Sequence, residues 1–408
     1  MRVCVLDRTP YCIEVKGGPM KPVIDLSKEY GIVLEGGGAK GAYQIGVWKA
    51  FREYGLKIKG ISGVSVGALN GALMCMGDLE KAERIWENIT YSRVMDVDDE
   101  IMATLMQRDL KNLSLREASL RALEIIKNRG FDVTPLQELM VSEIEEEKIR
   151  NSAIEFYLGV VDAGRLRGEE FKVSELPEGT IKDYLLASAY FPAFRVEKIL
   201  GKTYLDGGMM NNVPVDMLIN HGYKDIIVIR IFGIGREKRI HIPEDVNILE
   251  IAPRADLGNM LEFDSKKSRR NMKIGYYDGL RFLCGLAGEY YYIDSDRDEC
   301  WYLNQLLSVC SENPEQVLSE YHLEDSEPEL FIRIVVEQIL PQMAARFRLG
   351  REFTYKQLYL LWLERMARLL RISRFCVYTE EELLCEVRKK ILKNGSLETS
   401  QGMKVMVY

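Results

Sequence analysis

The chain has 408 residues, of which 47% are hydrophobic and 29% charged, and its formal net charge is −7. This composition is typical of a globular protein, and the acidic balance argues against a nucleic-acid binder, whose surface is basic. Eight scattered cysteines without a C-x-x-C pair favour reduced thiols over disulfides or a zinc site. The N-terminal residues carry charge too early for a signal peptide, and no apolar run approaches the roughly 20 residues of a membrane span. We therefore expect a soluble, cytoplasmic protein.

Hydrophobic patterning in chain order predicts an α/β domain followed by a helical one. Short apolar runs broken by Pro and Gly predict a β leader over residues 1–28. Strand-turn-helix units then begin, which predict a mostly parallel sheet covered by helices on both faces. The predicted strands are 31–35, 58–63, 153–162, 169–173, 199–205, 225–231 and 246–252, and the predicted helices are 42–54, 66–76, 261–284, 330–345, 355–373 and 379–393. The main domain is predicted at 29–294 and a helical subdomain of unknown role at 295–408.

Residues 78–150 are predicted to be mostly helical. Residues 101–129 of this segment are amphipathic and carry many Lys and Arg residues, and they belong to a helical insertion predicted at 95–130. Two interpretations stay open for it, a lid over a binding channel and a plain surface subdomain.

The first glycine-rich turn, residues 36–41, reads Gly-Gly-Gly-Ala-Lys-Gly and follows a predicted strand. Gly36, Gly37 and Gly38 have no side chains to block a backbone approach, and a helix N-terminus there favours negative charge. Gly36, Gly38 and Gly41 also fit the G-x-G-x-x-G of a dinucleotide fold. That alternative requires an acidic residue at the end of the next strand.

The next strand instead ends in the second turn, where Gly63, Ser65 and Gly67 form a G-x-S-x-G frame. Such a turn exposes the serine hydroxyl at a strand-to-helix corner, and the N–H of the following residue, Val66, is its usual oxyanion donor. An exposed serine close to a cradle of backbone N–H groups indicates an acyl hydrolase.

A base for the serine is predicted further along the chain, where another apolar strand ends in Asp206, Gly207 and Gly208. The carboxyl ends of parallel strands meet at one edge of a sheet, which is where ligands bind in such folds. Asp206 and Ser65 are therefore expected to meet at this edge.

Four elements in this order resemble the patatin-like phospholipases over roughly residues 30–285. They are the glycine loop 36–41, the elbow 63–67, the segment 187–194 (Ala-Ser-Ala-Tyr-Phe-Pro-Ala-Phe), and Asp206-Gly207-Gly208 with a later Asn212-Val-Pro214. The resemblance implies a three-layer α/β/α sandwich and a Ser65–Asp206 dyad without histidine, with the first loop as oxyanion hole. Glu35 departs from the family pattern, in which this position often carries a small or apolar residue or Asp.

The predicted activity is that of a lipid acyl hydrolase of phospholipase A or lysophospholipase type, acting through an acyl-serine. The mechanism needs no metal or organic cofactor, and the expected partners are a lipid ester and, transiently, a membrane surface. An esterase or neutral lipase with the same dyad is the nearest alternative. A nucleotide-binding oxidoreductase and a non-catalytic scaffold are alternatives from other classes. A Ser-Asp-His triad would need one of the three histidines, His221, His241 or His322.

Overall fold

The computed structural model describes residues 20–106, 130–195, 197–324 and 328–394. Most of the predicted leader (residues 1–19) and most of the predicted insertion (residues 107–129) lie outside the described residues. The chain divides into two compact units, Lys21–Cys284 and the residues from Gly285 on.

The first unit is built on one seven-stranded sheet. Its order is β4-β3-β2-β1-β6-β7, and β5 pairs with the end of β3. β1, β2, β3, β6 and β7 are parallel, whereas β4 and β5 run antiparallel to β3. The strands are β1 Glu29–Leu34, β2 Lys57–Gly63, β3 Glu155–Asp162, β4 Arg167–Lys172, β5 Tyr204–Asp206, β6 Asp225–Ile229 and β7 Asn247–Ile251. The predicted mostly parallel sheet is thus confirmed.

Helices cover both faces of this sheet. On one face Met217 and Leu218 of a short helix pack with Val33, Tyr157 and Val228. β1 reads as a nearly unbroken apolar run because strands of such a sheet are buried on both sides. The helices of this unit are α1 Ala42–Tyr54, α2 Val66–Met76, α3 Leu79–Glu87, α4 Asp99–Met106, α5 Thr134–Glu143, α6 Glu146–Arg150, α7 Ile181–Ser188, α8 Val215–Asn220 and α9 Ser265–Cys284.

The opposite face is covered by α2, with Gly71 against Ile61 and Phe156. α1 and α9 pack closely on each other, where Gly275 lies against the Tyr43 carbonyl. The predicted three-layer α/β/α arrangement is therefore confirmed. The predicted strand 199–205 is shorter than expected, because Ile199 and Lys202 close a tight turn and only Tyr204–Asp206 joins the sheet.

The second unit is mainly helical, as predicted, with an apolar core that includes Tyr302, Leu306, Ile339 and Leu363. Its elements are β8 Tyr292–Asp294, α10 Glu299–Ser311, α11 Pro314–Glu320, α12 Phe331–Ile334, α13 Leu340–Arg346, α14 Tyr355–Leu369, β9 Val377–Thr379 and α15 Glu380–Asn394. β8 pairs in parallel with β9, so the predicted boundary after residue 294 falls inside this unit. No helix in the described part of the chain is long and apolar enough to cross a membrane.

Candidate active site

Ser65 lies in a sharp turn between β2 and α2. Its φ of 54° and ψ of −132° are a conformation that residues other than glycine rarely adopt, and such strain is typical of a nucleophile elbow. A Cβ on Gly63 would lie 2.6 Å from the Gly67 backbone, and one on Gly67 would lie 2.2 Å from the Leu34 carbonyl oxygen. The two glycines of the G-x-S-x-G frame are required because strand and helix backbones approach this closely.

Asp206 ends β5 and faces the elbow. The Asp206 carboxylate accepts a hydrogen bond from the Gly208 N–H at 2.8 Å, and the Ser65 hydroxyl lies close enough to lower the pKa of this carboxyl group. Both residues are buried, with exposed fractions of 9% for Ser65 and 6% for Asp206. Gly207 allows the turn to approach β3, because a Cβ there would lie 2.4 Å from the Gly159 carbonyl oxygen. The structure brings the two predicted catalytic residues together.

Burial raises the pKa of Asp206 from 3.8 to about 6, although the nearby Ser65 hydroxyl and the hydrogen bond from the Gly208 N–H lower it. Desolvation disfavours the charged form of a carboxyl group. A carboxylate with a pKa nearer to neutrality is a better proton acceptor for a hydroxyl than an ordinary aspartate. The environment of Asp206 is therefore suited to general-base chemistry near neutral pH.

One short segment accepts backbone hydrogen bonds from both Ser65 and Asp206. The Ser65 N–H donates to the Ser188 hydroxyl at 3.0 Å, and that hydroxyl donates to the Gly159 carbonyl at 2.7 Å. The Asp206 N–H donates to the Tyr190 carbonyl at 3.0 Å. Ser188 and Tyr190 belong to the motif segment 187–194 and position the backbone of Ser65 and Asp206, a function that the sequence alone did not predict.

Three of the four predicted oxyanion donors have free N–H groups. Within the residues that the structure describes, no acceptor is found for the backbone N–H of Gly37, Gly38 or Val66, whereas the Gly36 N–H donates to the Asn212 carbonyl at 3.2 Å. Gly37, Gly38 and Val66 are thus able to bind an oxyanion, and Gly36 is already engaged. Gly36 instead permits close packing, since a Cβ there would lie 3.1 Å from the Ser65 Cβ.

The Met260 backbone packs against the glycine loop and accepts a hydrogen bond from it. Gly38 has a φ of +55°, and a Cβ there would lie 2.2 Å from the Met260 carbonyl oxygen, which accepts the Ala39 N–H at 2.8 Å. The loop forms a 3₁₀ turn, Gly38–Gly41, that leads into α1. Gly41 lies against the Val66 side chain, so the two glycine-rich turns pack directly together.

Glu35, the residue that departs from the family pattern, has a positional role. Its side chain is 1% exposed and accepts hydrogen bonds from the N–H groups of Ile231 at 2.6 Å and Phe232 at 3.0 Å. It also pairs with Arg230 at 3.1 Å. Glu35 therefore stabilises the backbone at Ile231, on which Gly37 of the glycine loop packs.

We expect Glu35→Gln to lower the free energy of unfolding by about 3 kcal/mol, because one partner of a buried charge pair is removed. The new amide NH₂ would also face backbone N–H donors. Glu237→Gln is the matched control, since Glu237 contacts the same Arg230 but is 57% exposed, and exposed pairs contribute about 1 kcal/mol or less. Urea unfolding of the three proteins measures the difference. Equal losses for both variants would contradict the positional role of Glu35.

An apolar cavity opens beside the nucleophile. Ser65, Val66 and Gly38 line it, and Asn70 and Glu143 are its other polar side chains. Its apolar walls include Leu73, Ile89, Leu136, Met140, Phe194 and Phe263. Such a cavity suits a hydrocarbon chain whose polar end lies at Ser65.

The predicted histidines have other surroundings. The His221 ring packs on the Tyr157 ring with centroids 4.1 Å apart, and its Nδ1 lies 2.7 Å from the Met217 carbonyl oxygen. His241 is exposed, and His322 belongs to the second unit. Across residues 20–106, 130–195, 197–324 and 328–394, no group of three or more His, Cys, Asp or Glu side chains is arranged to hold a metal ion.

Comparison with known proteins relates part of the chain to a family. Residues 32–219 match the family model "Patatin-like phospholipase", so this segment is a patatin-like phospholipase domain. The match confirms the resemblance predicted from the four motifs and contains all of them, while residues 220–285 of the predicted range lie outside it. At the family level it supports a lipid hydrolase.

Two curated proteins are similar to about half of this chain. Neuropathy target esterase sws of Drosophila melanogaster is 28% identical over 199 residues, which are 49% of this chain and 12% of the relative. Patatin-like phospholipase domain-containing protein ZK370.4 of Caenorhabditis elegans is 27% identical over 201 residues, 48% of this chain and 13% of the relative. The chain thus matches about an eighth of the length of these relatives. Among solved structures, VipD from Legionella pneumophila aligns with a TM-score of 0.40 and 14% identity, covering 94% of this chain and 92% of that one.

Proposed function

We propose that this protein hydrolyses carboxylic esters of lipids, as a phospholipase A or lysophospholipase, through an acyl-serine formed on Ser65. The observation that carries the proposal is the placement of the buried Asp206 carboxylate near the strained Ser65, whose hydroxyl affects the pKa of Asp206. The apolar cavity begins at the same serine. A nucleophile, a base and a channel for an acyl chain thus meet at one point.

The first half of the proposed reaction transfers the acyl group to the enzyme. Asp206 takes the proton of the Ser65 hydroxyl as its oxygen attacks the ester carbonyl carbon. The negative charge that develops on the carbonyl oxygen is met by the free N–H groups of Gly37, Gly38 and Val66. The C–O bond to the alcohol then breaks, and the leaving oxygen takes the proton from Asp206.

The second half releases the fatty acid. A water molecule replaces the alcohol, gives a proton to Asp206 and attacks the acyl-serine carbonyl. The same N–H groups bind the second oxyanion. When the bond to the serine oxygen breaks, Ser65 recovers its proton from Asp206, and a free fatty acid leaves.

The other candidate classes fit the site less well. A dinucleotide fold places an acidic residue at the end of the second strand to bind a ribose, but β2 leads here into the strained Ser65. A scaffold needs neither a strained serine nor a carboxylate with a raised pKa. No observation in the described residues favours a second function over hydrolysis.

The test is the release of fatty acid from defined lipids as pH is varied. We expect the protein to release fatty acid from a dispersed phosphatidylcholine or lysophosphatidylcholine. Since Asp206 accepts a proton only when ionised, and its pKa is raised to about 6, kcat/KM should fall about tenfold for each pH unit well below 6 and level off above pH 7.

Two controls make this result specific. A water-soluble short-chain ester, followed over the same pH range, separates ionisation of the enzyme from changes in the lipid aggregate. A comparison of two phosphatidylcholines with different fatty acids at the two glycerol positions identifies the ester that is cleaved. Absence of ester hydrolysis in a folded protein at pH 8, for lipids and soluble esters alike, would contradict the proposal.

A further inference from the structure

The apolar cavity beside Ser65 follows the length of α2. Val66, Leu69 and Leu73 line it, and their spacing of three and four residues places them on one face of that helix. Since an α-helix rises about 1.5 Å per residue, Leu73 lies about 10 Å along the helix axis from Val66. The cavity therefore extends about two helical turns away from the nucleophile.

The start of α5, a second helix that lines the cavity, lies near the nucleophile. Just before this helix, the Phe131 N–H donates to the Ala193 carbonyl at 2.9 Å. Ala193 belongs to the segment 187–194, whose Ser188 hydroxyl accepts the Ser65 N–H at 3.0 Å. α5 therefore begins at the Ser65 end of the cavity.

The last residue of α5, Glu143, lies at the opposite end of the cavity. Its carboxylate is 3.7 Å from the Lys81 ammonium group. Lys81 lies in the first turn of α3, and only Gly77 and Asp78 separate α3 from the end of α2. Glu143 is thus placed where α2 finishes, beyond Leu73.

The apolar lining of the cavity becomes charged at Glu143. Among the described residues that line the cavity, Glu143 alone carries a charge. Asn70 is polar but already engaged, because its side chain donates to the Gly41 carbonyl at 2.9 Å and accepts from the Trp86 indole N–H at 2.9 Å. A hydrocarbon chain that reached the ion pair of Glu143 would have to desolvate it, which costs free energy. Favourable contact with an acyl chain therefore ends at this residue.

We propose that Glu143 sets the far limit of the acyl site, so that the protein prefers esters of medium-chain acids of about eight to ten carbons. An extended hydrocarbon chain advances about 1.25 Å per carbon, so the stretch from Val66 to Leu73 holds about eight methylene groups. The inference rests on the proposed function, because it places the acyl carbonyl carbon at Ser65. Glu143 determines specificity and takes no part in the chemistry.

The test is kcat/KM for soluble p-nitrophenyl esters of increasing acyl length, each below its solubility limit. For wild-type protein we expect kcat/KM to rise with each added methylene group, by up to about fourfold, as far as the decanoate ester. Longer chains should bring no further rise, because their last carbons lie beyond the apolar lining. A rise that continued at the same rate to the tetradecanoate ester would overturn the inference.

Two variants of matched chemistry test Glu143 itself. Glu143→Leu makes the far limit apolar, while Lys81 keeps its ion pair with Glu145 at 3.0 Å. We expect the ratio of kcat/KM for the dodecanoate ester to that for the octanoate ester to rise about tenfold. Glu145→Leu is the matched control, because it removes the other carboxylate that pairs with Lys81 and changes no described residue of the cavity lining. Its ratio should equal that of the wild type.

A bulkier side chain at Leu73 should shorten the site. Leu73 is 5% exposed and lines the cavity, so Leu73→Trp fills the space about 10 Å from the nucleophile. We expect the ratio of kcat/KM for the decanoate ester to that for the butanoate ester to fall about tenfold or more. Circular dichroism and thermal unfolding confirm that each variant is folded.

Binding of fatty acids separates this inference from the proposed function. Ser65→Ala protein is titrated calorimetrically with fatty acids from butanoate to tetradecanoate, and the affinity should rise as far as decanoate and then level off. Binding with this limit, but no ester hydrolysis by wild-type protein, contradicts the hydrolase and leaves the inference standing. Hydrolysis with equal length ratios in wild-type, Glu143→Leu and Glu145→Leu protein overturns the inference alone. Absence of both hydrolysis and binding overturns both.

Discussion

Ser65→Ala is expected to lower kcat for ester hydrolysis by a factor of about a thousand or more, because the change removes the nucleophile of a unit whose members act together. The fold should persist, since the substitution deletes a single oxygen and leaves the hydrogen bonds of the Ser65 N–H to Ser188 intact. We expect the Tm of Ser65→Ala protein to lie within a few degrees of the wild-type Tm, as measured by thermal unfolding.

Covalent labelling tests the same serine independently of the substrate. A fluorophosphonate reacts with an activated serine hydroxyl, so we expect wild-type protein to gain one label on Ser65, as measured by intact mass and peptide mapping. Ser174→Ala is the control, because Ser174 is exposed and lies away from the elbow. Ester hydrolysis at the wild-type rate by unlabelled Ser65→Ala protein would contradict the proposal that Ser65 is the nucleophile.

His221→Ala distinguishes a dyad from a triad. The His221 ring packs on Tyr157 and its Nδ1 lies near the Met217 carbonyl, so its loss is expected to change kcat by less than about tenfold, whereas a triad histidine costs about a thousandfold or more. A collapse of kcat in folded His221→Ala protein would show that a histidine takes the serine proton.

Asp206→Asn is expected to abolish hydrolysis to a similar extent and yet to stabilise the protein at alkaline pH. The amide does not accept the Ser65 proton, which accounts for the lost activity. Because the pKa of Asp206 is raised from 3.8 to about 6 on folding, the folded state binds the proton more tightly than the unfolded state. The carboxyl group therefore favours folding fully below about pH 4, and this contribution is lost as pH rises through about 6.

Urea unfolding at pH 4 and pH 8 measures this effect. At about 1.4 kcal/mol per pKa unit, the free energy of unfolding of Asp206→Asn relative to wild type should be higher at pH 8 than at pH 4 by roughly 2 to 3 kcal/mol. Asp162→Asn is a control, because an amide oxygen there keeps accepting the N–H groups of Gly164 and Arg165. If the difference in free energy of unfolding between Asp206→Asn and wild type is the same at pH 4 and pH 8, burial does not raise the pKa of Asp206.

Local patterns were sufficient to predict most of the first unit. The predicted helices 42–54 and 66–76 match α1 and α2, because each follows a glycine-rich turn and has a clear end. The three-residue strands β8 and β9 were missed, since they are too short to show periodicity and they pair across more than eighty residues of chain. Pairing of this kind is set by tertiary packing.

The candidate site shows the same division between local and distant causes. The glycines, Ser65 and Asp206 follow from motifs at strand ends. The motifs do not predict which backbone N–H groups are free, because the Gly36 N–H donates to Asn212, which lies 176 positions later. The function of Glu35 was missed for the same reason, as its hydrogen-bond partners lie in the 230–233 loop. A motif gives the chemical groups, whereas their availability depends on residues far along the chain.

The segment 187–194 accepts backbone hydrogen bonds from both Ser65 and Asp206, which affects how the distance between these two residues is maintained. Ser188 accepts the Ser65 N–H, and the Tyr190 carbonyl accepts the Asp206 N–H. Ser188 and Tyr190 are separated by a single residue. One short segment therefore links the backbones of Ser65 and Asp206, which lie 141 positions apart in the sequence. In the proposed mechanism, a shift of this segment would therefore move the attacking oxygen of Ser65 and the proton acceptor Asp206 together.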